Sequence, residues 1–170
     1  MPTPAFMSIE GARQGNITAR ASTEKSVGNI FVEGHENEIL VQAFSHRVDI
    51  PCDPQSGQPT GQRVHQTVNI LKVFDQSSPL LYTALTTGER LSKCRIRFYR
   101  ISIAGVQEHF FTVEFEDAVI VAIAAGMPDC HEGCNQHFTH LEQVSFAYRK
   151  IMWRHEATGT SGSDDWRVQR

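Results

Sequence analysis

Residues 39–50 read Ile39-Leu40-Val41-Gln42-Ala43-Phe44-Ser45-His46-Arg47-Val48-Asp49-Ile50, and apolar and polar side chains alternate along much of this stretch. Successive side chains of a β-strand point to opposite faces, so a period of two indicates a strand that is buried on one side. We predict one strand here, with a buried face formed by Leu40, Phe44, Val48 and Ile50. The other face holds Ala43, Ser45, Arg47 and Asp49, and its polar character predicts contact with solvent.

Similar patterns predict strands along most of the chain. They cover residues 6–11, 27–33, 63–74, 94–103, 107–115, 118–125 and 138–155. We expect Glu116 and Asp117 to separate two of these strands. The last segment fits either helical or strand spacing, and its many aromatic residues favour a strand.

One helix is indicated between these strands. Ser78 is a suitable N-cap, and Pro79 suits the first helical position, where its missing N–H costs nothing. An apolar stripe follows at Leu80, Leu81, Ala84 and Leu85. Gly88 is a suitable C-terminal stop. The helix is short, about two turns, so its stripe needs a sheet to pack against.

Seven or more strands with a single short helix indicate a mainly β fold, either a sandwich or a barrel. The 170 residues suit one domain. We assign the domain to residues 1–156. Residues 157–170 are rich in Gly, Ser and Asp and are predicted to form an exposed tail.

Composition narrows the possible functions. The net charge is -3, which disfavours nucleic-acid binding because phosphate contacts need a basic surface. Four irregularly spaced cysteines favour synthesis in a reducing compartment over a disulfide framework. The N-terminus shows no basic region followed by an apolar region, so we expect no cleaved signal peptide. The apolar run 118–127 is too short to span a membrane.

The best candidate for a metal site is the set Cys130, Cys134, His137 and His140. Thiolate and imidazole groups are the ligands that zinc prefers. However, the Cys-x3-Cys-x2-His-x2-His spacing leaves no ordered span between the two pairs, so we expect a polar loop without metal or cofactor. A zinc-dependent binding module and a sugar- or peptide-binding β-sandwich remain open as alternatives.

The sequence gives little indication of an enzyme. It contains no G-x-S-x-G elbow that could hold a nucleophile. Glu108 and His109 are neighbours in a predicted strand, and adjacent strand residues point to opposite faces. The segment 57–63 lacks the Lys-Ser/Thr pair of a phosphate-binding loop. We therefore predict that the chain has no catalytic site.

A long polar loop interrupts the pattern at residues 51–62. It contains no aliphatic or aromatic residue, and loops of this length within a compact domain are often functional. We predict that it contributes little to the core of its own domain.

Several segments together resemble one known family. They include Gly28-Asn29-Ile30-Phe31-Val32-Glu33-Gly34-His35-Glu36, the stretch from Asp53 to His65, Ser78-Pro79-Leu80-Leu81-Tyr82, Gln107-Glu108-His109-Phe110-Phe111, Ala147-Tyr148-Arg149-Lys150-Ile151 and Asp164-Asp165-Trp166-Arg167. In this order they resemble the Hcp family of tail-tube proteins from bacterial type VI secretion systems. The Cys- and His-rich stretch after Pro128 departs from the family pattern.

The resemblance implies a two-sheet β-barrel flanked by one short α-helix, similar to phage tail-tube proteins. It also implies homohexameric rings that stack into a tube. The expected partners are a VgrG-type spike, a contractile sheath and effector proteins carried in the lumen. The protein would be made in the bacterial cytoplasm and then secreted.

The expected contact residues follow from this implied ring. We expect the polar loop to reach a neighbouring subunit or ring through Asp53, Pro54, Ser56, Gly57, Gln58 and Arg63. Ala43, Ser45 and Arg47 are expected to face the lumen.

Overall fold

The computed structural model describes residues 3–135 and 138–168. In these ranges the first half of the chain contains β1 (Ala5–Gly11), β2 (Gly15–Asn16), α1 (Glu24–Val27), β3 (Ile39–Ser45), β4 (Val48–Asp49), β5 (Val64–His65) and β6 (Val68–Val73). The second half contains α2 (Ser78–Thr87), β7 (Leu91–Ile101), β8 (Gln107–Gly126), β9 (Leu141–Ala147), β10 (Lys150–His155) and β11 (Thr160–Asp165).

The main sheet closes on itself. Its strands are ordered β11-β10-β8-β7-β1-β3-β6-β9, and β9 also pairs with β8. Strand β8 is 20 residues long, so it can pair with β7 and β10 along its first part and with β9 along its second part. The result is the β-barrel that the sequence predicts, with the short helix α2 packed beside β8.

Asp117 does not separate two strands, contrary to the prediction. Strand β8 continues through it, although its φ of 52° lies in the left-handed region, which Asp tolerates better than most residues. The partner changes here from β10, which pairs up to Glu116, to β9, which pairs from Val119. Strand pairing before and after Asp117 keeps both flanking segments of β8 extended. The polar pair Glu116 and Asp117 therefore marks a change of partner strand, where the sequence suggested a strand end.

The predicted strand 39–50 is shorter than expected, because β3 ends at Ser45. A register shift between Val41 and Ala43 breaks the period of two, and Ile39, Leu40 and Val41 are all buried. Val48 and Ile50 are 41% and 53% exposed, so the prediction that they are buried was wrong. The chain leaves the barrel after Ser45, and β4 pairs with β5 in a separate ribbon.

The predicted strand at 63–74 is divided into β5 in the ribbon and β6 in the main sheet. Two further segments also differ from their predictions. The predicted strand at 27–33 is wrong: α1 and a 3₁₀ turn at Gly28–Ile30 replace it, because Gly28 has a φ of 63° that stops an extended backbone. The segment 138–155 is extended as predicted, and it forms two strands, β9 and β10.

Helix α2 spans Ser78–Thr87, so its N-cap is Ser77, one residue before the predicted Ser78, and Pro79 takes the second helical position. Its end before Gly88 is as predicted. Gly88 has a φ of 64°, and its N–H and that of Glu89 donate to carbonyls of the last turn. Leu81 and Ala84 are buried, whereas Leu80 is 38% exposed. The helix therefore packs through a narrower stripe than the sequence suggests.

The chain after residue 156 contributes to the sheet. β11 pairs with all of β10, from Thr160 opposite His155 to Asp165 opposite Lys150. Most of its residues are exposed, in agreement with the predicted exposure, but they form an edge strand. The domain boundary at residue 156 stays a prediction.

The described helices are all too short or too polar to cross a membrane.

Candidate assembly surfaces

The first candidate surface is the ribbon of β4 and β5 with its connecting loop, residues 48–65, which we call the arm. Within residues 3–135 and 138–168 its strands pair only with each other, and residues 54–62 are all exposed. Val48, Ile50 and Val64 leave apolar side chains on its surface. The arm therefore adds little to the core of its own domain, as the sequence predicts.

The arm has internal order despite its exposure. Cys52 and Pro59 form a β-bridge, and Thr60 N–H donates to the Pro51 carbonyl at 2.8 Å. The Asp53 carbonyl accepts from Gly57 N–H at 2.8 Å, and Asp53 N–H donates to the Gln58 carbonyl at 2.8 Å. Hydrogen bonds of this kind reduce the entropy that an arm loses when it binds a partner.

The tip of the arm is fixed by the Asp53 carboxylate. It accepts a hydrogen bond from Gln55 N–H at 3.0 Å and another from the Ser56 hydroxyl at 2.8 Å. These hydrogen bonds hold the pKa of Asp53 below its ordinary value, and the one from Gln55 N–H has the larger effect. Gly57 follows with a φ of 69°, which favours glycine.

Five of the six predicted contact residues lie at this tip: Asp53, Pro54, Ser56, Gly57 and Gln58. Arg63 lies at the root of the arm instead. Its guanidinium binds the Asp164 carboxylate of the same chain and donates to the carbonyls of Asp165 and Val168. Arg63 is therefore placed to hold the arm in position.

Side chains from distant parts of the chain meet Arg63 in a cluster that we call the clasp: Arg63, His65, His46, Tyr148 and Asp164. His46 Nε2 lies 2.6 Å from Tyr148 Oη, and His65 Nδ1 lies 2.8 Å from the same oxygen. His65 Nε2 lies 2.6 Å from Asp164 Oδ2. The clasp thus ties both ends of the arm to the barrel and to β11.

Burial and charge shape the clasp. The hydrogen bond from Arg63, with a further one from His65, lowers the pKa of Asp164 to about 2 despite partial burial. Burial raises the pKa of Tyr148 well above its usual range, and the charge of Asp164 adds to this effect. Burial lowers the pKa of His46, and the neighbouring His65 contributes as well.

The second candidate surface is a face of small, uncharged side chains across β3, β6, β9 and β8. Ser45 is opposite Asn69, which is opposite Ser145, and Ser145 is opposite Ala122. The next row contains Ala43, Leu71, Gln143 and Ala124. Ala43 and Ser45 are exposed and line a shallow depression of about 200 Å³. Two of the three predicted lumen residues, Ala43 and Ser45, thus lie on this small uncharged face.

Arg47, the third predicted lumen residue, lies just beyond this face, between β3 and β4. It is exposed and pairs with Asp49 at 2.6 Å. It lines a second depression together with Ser45 and Asn69, so it borders the face that contains Ala43.

The Cys- and His-rich loop is described only in part, because His137 lies outside the described residues. Cys130 and Cys134 are exposed free thiols, and Cys134 Sγ lies 3.7 Å from Glu132 Oε2. Among the described residues, no group of three or more His, Cys, Asp and Glu side chains is arranged to hold a metal ion. The expectation of a metal-free loop stays a prediction, which metal analysis of purified protein can test.

Glu108 and His109 are placed apart, as predicted for neighbours in a strand. Glu108 pairs with Arg100 at 2.6 Å, whereas His109 Nε2 lies 2.8 Å from Thr112 Oγ1. These two side chains are therefore engaged with different partners.

Sequence reasoning missed the clasp. Its hydrogen-bonded pairs lie up to 102 residues apart in the chain, and a single His in a short strand has no distinctive spacing. Only Arg63 was identified as a contact residue. The sequence does place every clasp residue except His46 in a segment that resembles the Hcp family.

Comparison with known proteins identifies the family. The profile described as "Type VI secretion system effector, Hcp" matches residues 6–155. The chain belongs to the Hcp family. An Hcp relative is the "Major exported protein" of Pseudomonas aeruginosa strain PAO1, which is 63% identical over 167 residues and is matched over 98% of this chain and 97% of its own length.

Solved Hcp structures share the fold. A structure described as "Crystal structure of Hcp protein" superposes with a TM-score of 0.93 at 51% identity, covering 98% of this chain and 99% of that one. The secreted protein Hcp3 from Pseudomonas aeruginosa gives a TM-score of 0.84 at 55% identity with the same coverage. These matches confirm both the resemblance and the predicted mainly β barrel.

Proposed function

We propose that this Hcp protein forms homohexameric rings and is a structural component of a type VI secretion system. The rings stack into a tube that is exported with its spike. Its role is to build a conduit, and it performs no catalysis. Membership of the family supports the role in secretion, and the name of the Pseudomonas aeruginosa relative supports export.

The observation that carries the assembly proposal is the arm. An exposed ribbon with internal hydrogen bonds and apolar side chains is suited to pack on a second copy. A contact between two different surfaces of identical subunits closes into a ring when the rotation between neighbours allows it. The arm would supply one of those surfaces through its tip residues.

The lumen assignment rests on the small uncharged face. Its rows contain mainly Ala, Ser, Asn and Gln side chains, which leave room for a cargo protein. In a closed ring this face would line the channel, so effectors would contact Ala43 and Ser45. A spike of the VgrG type and a contractile sheath are the further partners expected from the family. The protein would be made in the cytoplasm and leave it without a cleaved signal peptide.

Deletion of residues 55–60 tests the role of the arm. We expect the shortened chain to fold, because these residues are exposed. We also expect it to assemble at least about tenfold more weakly, which corresponds to about 1.4 kcal/mol. Light scattering over a concentration series measures assembly, and circular dichroism checks the fold.

Met127→Ser provides a control outside the arm, because Met127 is 62% exposed on another loop. Its assembly should match that of the wild type. If the deletion variant assembles normally, the arm contact is wrong. A wild-type chain that stays monomeric at micromolar concentration would contradict the ring itself and favour a sugar- or peptide-binding sandwich.

A further inference from the structure

The clasp contains one carboxylate for several basic groups. The Asp164 carboxylate is already paired with Arg63 and His65. An additional positive charge in the clasp therefore has no acidic partner among the described residues that face it. His46 is the remaining basic group, and it is half-buried. Burying a charge without a partner is costly, and a group in that situation tends to stay neutral.

His46 is enclosed by residues of other elements. The hydroxyl of Tyr148, between β9 and β10, is hydrogen-bonded to His46 Nε2. The ring centroids of His46 and of His65 on β5 are 6.3 Å apart. The ring centroids of His46 and of Trp153 on β10 are also 6.3 Å apart. On its own segment, Arg47 and Asp49 neutralise each other. Among these groups of the described chain, no carboxylate is free to pair with a positive charge on His46.

The hydrogen bonds of the clasp can all be made with a neutral His46. The Tyr148 hydroxyl has one proton to donate. If His65 is neutral and donates to Asp164, its Nδ1 accepts the tyrosine proton, and His46 donates to the phenol oxygen. If His65 is charged, it donates to the phenol, and the tyrosine proton goes to His46 Nε2. In the first arrangement, a proton added to His46 adds a charge that has no acidic partner. In the second, it displaces the hydrogen bond that His46 Nε2 accepts from the Tyr148 hydroxyl.

We propose that mild acid opens the His46 side of the clasp and loosens the first end of the arm from Tyr148, because a charge on His46 would be half-buried beside Tyr148 and His65 without an acidic partner. His46 precedes β4, so loss of its contact frees this end of the arm, whereas Arg63 still binds Asp164, Asp165 and Val168 at the other end. The arm would then keep its ribbon hydrogen bonds but be held to the domain at one end only. This loosening weakens assembly only if the arm makes the contact proposed above, so that consequence rests on the proposed function.

The direction of the effect follows from proton linkage. Histidine has an ordinary pKa of 6.5, and the pKa of His46 in the closed clasp is lowered from that value. In the pH range between these two values the open form binds more protons than the closed form. The closed clasp is therefore fully stable above the ordinary pKa and loses stability as the pH falls through it.

Hydrogen–deuterium exchange of the full chain tests this inference. Peptides from residues 47–64 are compared at about pH 7.5 and about pH 5.5, on protein diluted below its assembly concentration and corrected for intrinsic exchange rates. We expect arm opening to increase by up to about tenfold per pH unit, the limit for uptake of one proton. Peptides from β8 should show no such change.

His46→Gln keeps a hydrogen-bonding group beside Tyr148 but cannot take up a proton, so its arm should exchange equally at both pH values. His131→Gln, in an exposed loop, is the matched control and should keep the wild-type response. If the glutamine variant does not fold, His46→Asn serves the same purpose. The inference is overturned if the wild-type arm exchanges equally at both pH values, or if the His46 variant keeps the pH response.

Light scattering at the same two pH values separates this inference from the proposed function. An arm that is loosened in acid while the rings stay assembled supports the clasp mechanism and contradicts the assembly role of the arm. An arm that is not loosened contradicts the clasp mechanism, whatever the rings do.

Discussion

Lys72 and Glu142 are opposite each other on β6 and β9, and Lys72 Nζ lies 2.5 Å from Glu142 Oε1 with both side chains buried. The ammonium group also lies 3.1 Å from Asp75 Oδ1 and donates to Ser78 Oγ, at the start of α2. Two buried carboxylates thus share one lysine. This cluster fixes the beginning of the helix to the barrel.

Removal of the lysine should therefore be severe. Lys72→Met leaves Asp75 and Glu142 buried together without a cation, and breaking a buried ion pair in this way costs about 3–5 kcal/mol. Urea unfolding measures the loss. Lys93→Met is the control, because Lys93 is 40% exposed in its pair with Glu114 and exposed pairs contribute at most about 1 kcal/mol. Equal losses in both variants would contradict this account of the cluster.

Gly11 lies at the end of β1, where Glu89 approaches the backbone closely. A Cβ at this position would lie 2.5 Å from Glu89 Oε1. The carboxylate cannot move aside easily, because it accepts from Arg13 N–H at 2.7 Å and from Gln14 N–H at 2.9 Å. We expect Gly11→Ala to destabilise the fold by about 1–3 kcal/mol, the usual cost of overpacking.

Gly126→Ala is the matched control for Gly11. Among the described residues, no heavy atom beyond the two chain neighbours lies within 4 Å of the place that an added Cβ would take, and the φ of Gly126 is not positive. Its stability should change by no more than about 1 kcal/mol. Thermal unfolding compares the two variants, and a Gly11→Ala protein as stable as the wild type would rule out the close approach.

The Asp164 carboxylate should make the stability of the protein depend on pH in acid. Its pKa falls from 3.8 to about 2 in the folded protein, mainly through the hydrogen bond from Arg63. Such a group stabilises the fold above its unfolded pKa, and the contribution is lost as the pH falls from 3.8 towards 2.

Asp164→Asn should therefore cost about 2 kcal/mol at neutral pH, as expected for hydrogen bonds to a charged group. The difference from the wild type should shrink below the ordinary carboxyl pKa of about 3.9. Urea unfolding at a series of pH values measures this. Asp49→Asn, in the exposed pair with Arg47, should show a much smaller effect at all of them. A penalty for Asp164→Asn that does not change with pH would contradict the assigned pKa.

Ser45→Gln tests the lumen assignment. Ser45 is exposed on β3, at one side of the small uncharged face and opposite Asn69. The larger side chain should leave rings intact but reduce retention of a co-expressed effector, measured by co-purification, by a factor of several. Ser163→Gln, on the edge strand β11, should retain the effector normally. Unchanged retention with intact rings would place the cargo on another face.

Local signals along the chain were enough for several elements. Pro79 and Gly88 delimit helix α2, because an N-terminal proline and a left-handed glycine each act within one turn. The polar stretch after Pro51 predicted an exposed loop, because residues without apolar side chains have nothing to bury. Local period also favoured strands for residues 138–155, although the split into β9 and β10 was not visible.

Predictions failed where a distant partner decides the structure. The change at Asp117 suggested a strand end, but β9 pairs with the chain beyond it and keeps β8 extended. Val48 and Ile50 fitted a buried face, but the chain leaves the barrel before them and pairs with β5 instead. Period alone cannot indicate which strand lies alongside, and that partner decides which face is covered.

The sequence by itself therefore determined the β class, the short helix, the polar loop of the arm at residues 51–62 and, through its resemblance, the Hcp family. These depend on side-chain types and spacings within short segments. Only the tertiary structure decided the closure of the barrel, the buried Lys72 cluster and the clasp. In each of these, hydrogen bonds or charges join residues that are tens of residues apart. Such contacts exist only after the strands have paired, because strand pairing brings distant side chains into hydrogen-bonding range.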